Sequence, residues 1–320
     1  MPLVPGTDYQ PPRWLFNAHL ETIYPVVFRK IRLKNSLESI VINTADGDYF
    51  ELDYYDTQAT KTVIISHGLE GNSRRPYVLG MAGSFLEYGW NVVAWNYRGC
   101  NGKPNKTIKS YHSGFTEDLV EVIRFADKPH IQRIALVGFS LGGNLTLRYL
   151  GSEELVNPKI CSAVVFSVPI DLHQSCMRIS EPSNFLYSQR FLKSLKAKIL
   201  EKAQIFHDIN TGYLSKIHDL KTFDDYYTAS LHGFRDALDY YKQCSAMYVL
   251  EQIATPTMII SAGNDPFLTP NCFPIKLAKK HQYVHLAVPP RGGHVGFTLF
   301  NNTNTYWSEM KALEFVARTG

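Results

Sequence analysis

From Ser39 onward the chain alternates short apolar runs with longer stretches of helical spacing. The runs 39–43 and 49–55 flank Ala45-Asp46-Gly47-Asp48, whose Asp-Gly pair suits a hairpin turn. Further β-rich runs lie at 62–66 (TVIIS), 91–95 (NVVAW), 133–137 (RIALV), 161–168 (CSAVVFSV), 256–261 (PTMIIS) and 283–288 (YVHLAV). Helical patterns occupy about 77–88, 116–127, 141–150, 273–280 and 304–317. Thr116 is placed to cap its helix, with Glu117 and Asp118 at the positive end of the dipole. Strands apolar on both faces, alternating with helices, predict an α/β fold with a mostly parallel central sheet covered on both sides.

Two stretches break this alternation. Residues 1–38 are Pro-rich and read as an irregular segment packed onto the body through Trp14, Leu15, Phe16, Ile23 and Tyr24. Residues 171–254 hold no convincing strand, but carry a helical stripe at Leu192, Leu195, Ile199, Ala203 and Phe206 and a second helical pattern through 234–249. The expected organisation is therefore a core of 1–170 and 255–320, with 171–254 inserted as a helical cap. Arg190, Lys193, Lys196, Lys198 and Lys202 flank the stripe. They read as a solvated basic face, a reading preferred to docking on anionic lipid.

Composition narrows the function classes. Hydrophobic residues make up 45% of the chain and charged residues 19%, which is ordinary for a globular protein. A net charge of +4, evenly spread, gives no reason to expect a nucleic-acid partner. Five cysteines, widely spaced and without a CxxC pair, predict free thiols in a reducing compartment and neither a disulfide framework nor a zinc site. Neither a signal-peptide pattern nor an apolar run near 18 residues is present, so a cytoplasmic location is expected.

The sharpest chemical signal is Gly138-Phe139-Ser140-Leu141-Gly142-Gly143, directly after the run RIALV and directly before a helical run. A strand–turn–helix with small residues around a serine is what a nucleophile elbow requires, so Ser140 is the expected nucleophile. Serine needs a base, and His294 lies in the Gly-rich loop after the final strand. The base needs an orienting carboxylate. Asp265, in the turn after PTMIIS, is preferred to Asp171, which ends the preceding strand, and it completes the order Ser…Asp…His. The oxyanion donors expected are the backbone N–H groups of Leu141 and of Leu69, the latter in the loop after TVIIS. His67 reads as a loop-stabilising residue, and no metal or cofactor is implied.

Several segments resemble the YheT-like branch of the α/β-hydrolase superfamily, which includes yeast and animal medium-chain esterases and acyltransferases. They are HGLEGNSRRPY at 67–77, YRGCNGKPN at 97–105, YHSGFTEDL at 111–119, GFSLGGNL at 138–145, FDDYYTASLHGF at 223–234, DYYKQCSAM at 239–247, GNDPF at 263–267 and GGHVGF at 292–297, with AHLETIYP at 18–25. The resemblance implies an α/β-hydrolase fold with a helical cap, and the same Ser140, Asp265 and His294 as catalytic residues. The function expected is hydrolysis of short- to medium-chain acyl esters by a serine carboxylic-ester hydrolase with no cofactor. An alcohol acyltransferase with the same triad and a catalytically silent binding protein of the same fold are the alternatives. No chemistry is assigned to Tyr111, His112 or Cys244.

Overall fold

The computed structural model describes residue 4, residues 8–152 and residues 156–319; residues 1–3 and 5–7 of the segment expected to be irregular lie outside them. All eight apolar runs form strands: β1 (Glu38–Asn43), β2 (Tyr49–Tyr55), β3 (Lys61–Ser66), β4 (Asn91–Trp95), β5 (Arg133–Phe139), β6 (Ile160–Phe166), β7 (Thr257–Ile260) and β8 (Val284–Ala287). They make one sheet in the order β1-β2-β4-β3-β5-β6-β7-β8. β2 runs antiparallel to both its neighbours, and every other pairing is parallel.

Strict alternation divides the core in two. Ile64, Val93, Leu136 and Val165 point to one face, beneath helices α3 (Thr116–Ala126) and α4 (Leu141–Leu150). Val63, Val92, Val137 and Val164 point to the other, beneath α2 (Pro76–Glu87) and the C-terminal helix Trp307–Thr319. With helices on both faces, β4 is buried along its whole length.

The N-terminal segment departs from expectation. Residues Ala18–Phe28 form helix α1, begun by Asn17, whose side chain accepts the Leu20 N–H at 2.9 Å. Pro25 sits inside this helix and cannot donate to the Glu21 carbonyl one turn earlier. Prolines hid the helix from a pattern reading. A smaller departure concerns Thr116, which is the first helical residue; Phe115 precedes it with no side-chain cap bond.

Between β6 and β7 the described residues contain no strand. The chain forms α5 (Leu172–Ile179), α6 (Phe185–Ala203), a turn Leu220–Phe223 continuing into a π-turn, and α7 (Ala237–Cys244). Leu192 and Ile199 of the predicted stripe are buried in a separate apolar cluster with Phe223 and Tyr241. The second helical pattern stops at Cys244 because buried Asn144 of α4 takes over its backbone groups: Asn144 donates to the Cys244 carbonyl and accepts the Ala246 N–H, both at 2.9 Å.

The basic residues beside the stripe are not all solvated. Lys202 is buried and donates to the carbonyls of Thr107, Ile108 and Lys109, and burial pushes its amine down to about 8. Lys196 donates to the Ile217 carbonyl, and Lys198 pairs with Glu70 at 2.7 Å. Arg190 and Lys193 are the two that remain exposed. The inward lysines add charged donors to carbonyls and a carboxylate of distant loops. No described helix is long and apolar enough to cross a membrane. The C-terminal helix Trp307–Thr319 is α8.

Candidate active site

Ser140 stands between β5 and α4 with φ 53° and ψ −118°, a strained backbone for a residue with a side chain. The residues two positions away on either side must be glycine. A Cβ on Gly138 would lie 2.5 Å from the Gly142 carbonyl, and one on Gly142 would lie 2.5 Å from the His67 carbonyl. The turn therefore lifts Ser140 at the carboxyl end of β5, and Gly68 packs beside it.

Asp265, buried in the turn after β7, and His294, in the loop after β8, are in direct contact: Oδ2 and Oδ1 lie 2.9 and 3.1 Å from His294 Nδ1. An ionised carboxylate only accepts, so the Nδ1 hydrogen points to Asp265. Asp265 also accepts the Phe267 N–H at 2.9 Å, and the Phe267 ring packs on the imidazole at 4.4 Å. Asp171 lies elsewhere. It caps α5 by accepting the Gln174 N–H at 3.0 Å.

Helix α1 braces the histidine loop. The Thr22 hydroxyl accepts the His294 N–H at 2.9 Å, and Glu21 Oε2 accepts from Asn264 at 2.7 Å and from the Gly292 N–H at 3.1 Å. Arg291 lies 2.8 Å from Glu21 Oε1. Gly296 fits against the Glu21 carbonyl that Pro25 leaves without a helical donor.

In the loop after β3, the Gly68 N–H donates to the Tyr77 hydroxyl and the Glu70 N–H to the Tyr111 hydroxyl, both at 3.0 Å. Among the described residues, the Leu69 N–H between them and the Leu141 N–H have no protein acceptor. His67 turns away from the site: Nδ1 donates to the Gly68 carbonyl at 2.8 Å and Nε2 accepts the Tyr97 N–H at 3.3 Å. Burial pushes its imidazole down to about 3, which keeps it neutral.

Ser140 borders two cavities. The larger, about 390 Å³, is also lined by His294, Gly68, Leu69 and the Ile23 and Val26 side chains of α1. The smaller, about 150 Å³, runs beneath the helices between β6 and β7 and is lined by Leu172, Leu195, Ile199, Leu220 and Phe223. Leu69, Phe191 and Phe267 border both. Tyr111 and His112 face the smaller one. His112 packs on His232, with Cys244 Sγ at 3.7 Å, and burial keeps its imidazole well below the ordinary histidine value. No group of three or more His, Cys, Asp or Glu among the described residues is arranged to hold a metal ion.

The structure thus joins Asp265 to His294, sets Ser140 on the same cavity as His294, and leaves the amides of Leu69 and Leu141 unengaged beside it. Pattern reading missed Glu21, Thr22 and Glu70. The first two sit in AHLETIYP, which the resemblance picked out without a role; a carboxylate amid apolar residues was the available signal.

Comparison with known proteins agrees with this architecture. Residues 61–297 match the family model described as the alpha/beta hydrolase fold. The chain is 34% identical over 300 residues to YheT of Escherichia coli (strain K12), covering 91% of this chain and 87% of that one. It is 30% identical over 312 residues to phospholipase ABHD3 of Mus musculus, covering 92% and 74%. The Pyrococcus furiosus esterase Pf2001 superposes with a TM-score of 0.59 at 19% identity, covering 91% and 96%, which speaks for the fold. The chain belongs to the YheT-like branch of the α/β-hydrolase superfamily.

Proposed function

We propose that the protein is a serine carboxylic-ester hydrolase, with Ser140 as nucleophile, His294 as base and Asp265 as the acid that orients it. The observation that carries this reading is the Asp265–His294 pair beside a serine in strained elbow geometry. With Nδ1 committed to Asp265, Nε2 is the nitrogen available to take the Ser140 proton. Ser140 Oγ then attacks the ester carbonyl, and the Leu69 and Leu141 amides stabilise the oxyanion. His294 returns the proton to the departing alcohol, and water, activated by the same base, cleaves the acyl-enzyme.

Ester hydrolysis as the reaction class is supported by the relatives, since YheT carries the name of an esterase and ABHD3 that of a phospholipase. In this reading residues 171–254 act as the cap, and the small apolar cavity beneath them takes a short- to medium-chain acyl group. A cytoplasmic location is part of the reading, supported by five cysteines that are all free thiols.

The test is labelling with a fluorophosphonate probe followed by peptide mapping, together with a p-nitrophenyl ester series from acetate to palmitate. Modification of Ser140 and turnover of the shorter esters are expected. A folded protein that neither reacts at Ser140 nor turns over any ester is a binding protein of the same fold. Carrying out the reaction with added alcohol separates hydrolysis from acyl transfer.

A further inference from the structure

Glu70 follows the oxyanion donor Leu69 and has φ 53°, a left-handed backbone that a side chain disfavours. Such strain persists where surrounding groups over-determine it. Five contacts do so here. Tyr111 accepts the Glu70 N–H at 3.0 Å and donates its hydroxyl to Oε1 at 2.6 Å. Arg75 donates to the Glu70 carbonyl at 3.1 Å. From α6, Lys198 Nζ reaches Oε1 at 2.7 Å and the Ser194 hydroxyl donates to Oε2.

Ser194 and Lys198 are four residues apart and so lie on one face of α6. The Glu70 side chain is only 7% exposed and that of Lys198 24%. A buried ion pair is a poor device for stability alone, because apolar residues of similar volume often serve as well. This pair sits one peptide away from the amide whose direction decides how well a developing oxyanion is held. The same helix lines both cavities that meet at Ser140, through Phe191.

We propose that Glu70 and Lys198 are a positioning pair that sets the direction of the Leu69 N–H and ties the oxyanion hole to helix α6. Tyr111 completes the clamp. The inference rests on the hydrolase reading above and adds to it a role for the inserted helices beyond covering the acyl group.

The experiment compares two ketones of the same chain length as inhibitors. A trifluoromethyl ketone accepts Ser140 Oγ at its carbonyl, with the hydroxyl proton passing to His294, so its adduct carries an oxyanion. A methyl ketone stays trigonal and reads ordinary binding. In Glu70→Gln/Lys198→Met, which removes both charges and orphans neither, kcat should fall about 10- to 100-fold and trifluoromethyl ketone affinity by the same factor, with methyl ketone affinity and KM within about twofold. Lys198→Arg should keep most of the wild-type values. If the double variant does not fold, Tyr111→Phe deletes a single hydroxyl and should show the same pattern at about tenfold. Unchanged trifluoromethyl ketone affinity in a folded variant overturns the proposal, as does an equal loss for both ketones. Full ester turnover by Ser140→Ala would overturn the hydrolase reading instead.

Discussion

The Thr22 hydroxyl accepts the backbone N–H of His294 at 2.9 Å, joining the first helix to the last loop of the core. That loop also needs Gly293 at φ 60°, where a Cβ would lie 2.8 Å from both the Ala18 carbonyl and Thr22 Oγ1. The histidine is thus seated on α1, not only on the strand that precedes it.

Thr22→Val keeps the shape of the side chain and removes the acceptor. It leaves the His294 N–H unpaired at a largely buried position, worth about 1–3 kcal/mol. The expected result is a kcat about tenfold lower on p-nitrophenyl butyrate with KM little changed. Wild-type kinetics in this variant would show that α1 has no part in holding the base.

The two carboxylates considered for the acid separate cleanly. Asp265→Asn puts an NH2 donor where a carboxylate oxygen accepts, which can fix His294 in the wrong tautomer, and kcat should fall on the order of 10⁴-fold, the size known for this change in a serine protease. Asp171→Asn should retain activity within about twofold, because asparagine caps a helix as well as aspartate does. Parallel steady-state kinetics on both variants settles the assignment, and the reverse ranking would move the acid to Asp171.

Ser140→Ala should lose at least about 10⁴-fold in kcat while its circular dichroism and thermal midpoint stay near wild type. Alanine at φ 53° remains strained, so no large gain in stability accompanies the loss. Substantial turnover by the folded variant would remove the whole mechanism.

How much of this was legible in the chain follows from the range of each interaction. The eight strands and the elbow are local: apolar runs, turn glycines and the helix that begins at Leu141 lie within a few residues of one another. The Asp265–His294 contact was legible through its order and loop setting. The brace from Thr22 was not, because its partner is 272 residues away. Periodicity carries no information about such a bond. The lysines of α6 misled for a related reason. Helical spacing placed them beside the apolar stripe, but the groups that draw Lys198 and Lys202 inward, Glu70 and the 107–109 carbonyls, lie on distant loops.

Acid should weaken the fold once the pH falls to about 6.5 and below. His67, His112 and His232 all have imidazoles held below the ordinary value by burial, His67 to about 3 and His232 to about 4. Below about pH 6.5 the unfolded chain takes up protons that the folded chain refuses, so stability falls by up to about 1.4 kcal/mol per pH unit for each histidine. Asp118 and Asp224 act in the opposite sense, since burial raises both to about 6 and the folded state then binds their protons first. They begin to offset the histidines only near pH 6. Urea unfolding at constant ionic strength should show little change above pH 7.5 and a continuing loss of stability from pH 7 down to about 5. A stability that rises on acidification from pH 7 would contradict the buried neutral histidines.

The distance along the chain between Ser140 and His294, its proposed base, has a consequence for synthesis. When the elbow with Ser140 leaves the ribosome, His294 is still 154 residues away, roughly 8–30 s of elongation. Helix α1 precedes both in the chain, so the groups that seat the histidine loop emerge long before that loop. On the proposed mechanism a serine without its base is a weak nucleophile, so the unfinished chain would not hydrolyse esters. On that mechanism activity begins only when the last segment of the core docks against the first helix, which makes catalytic competence a report on completed folding.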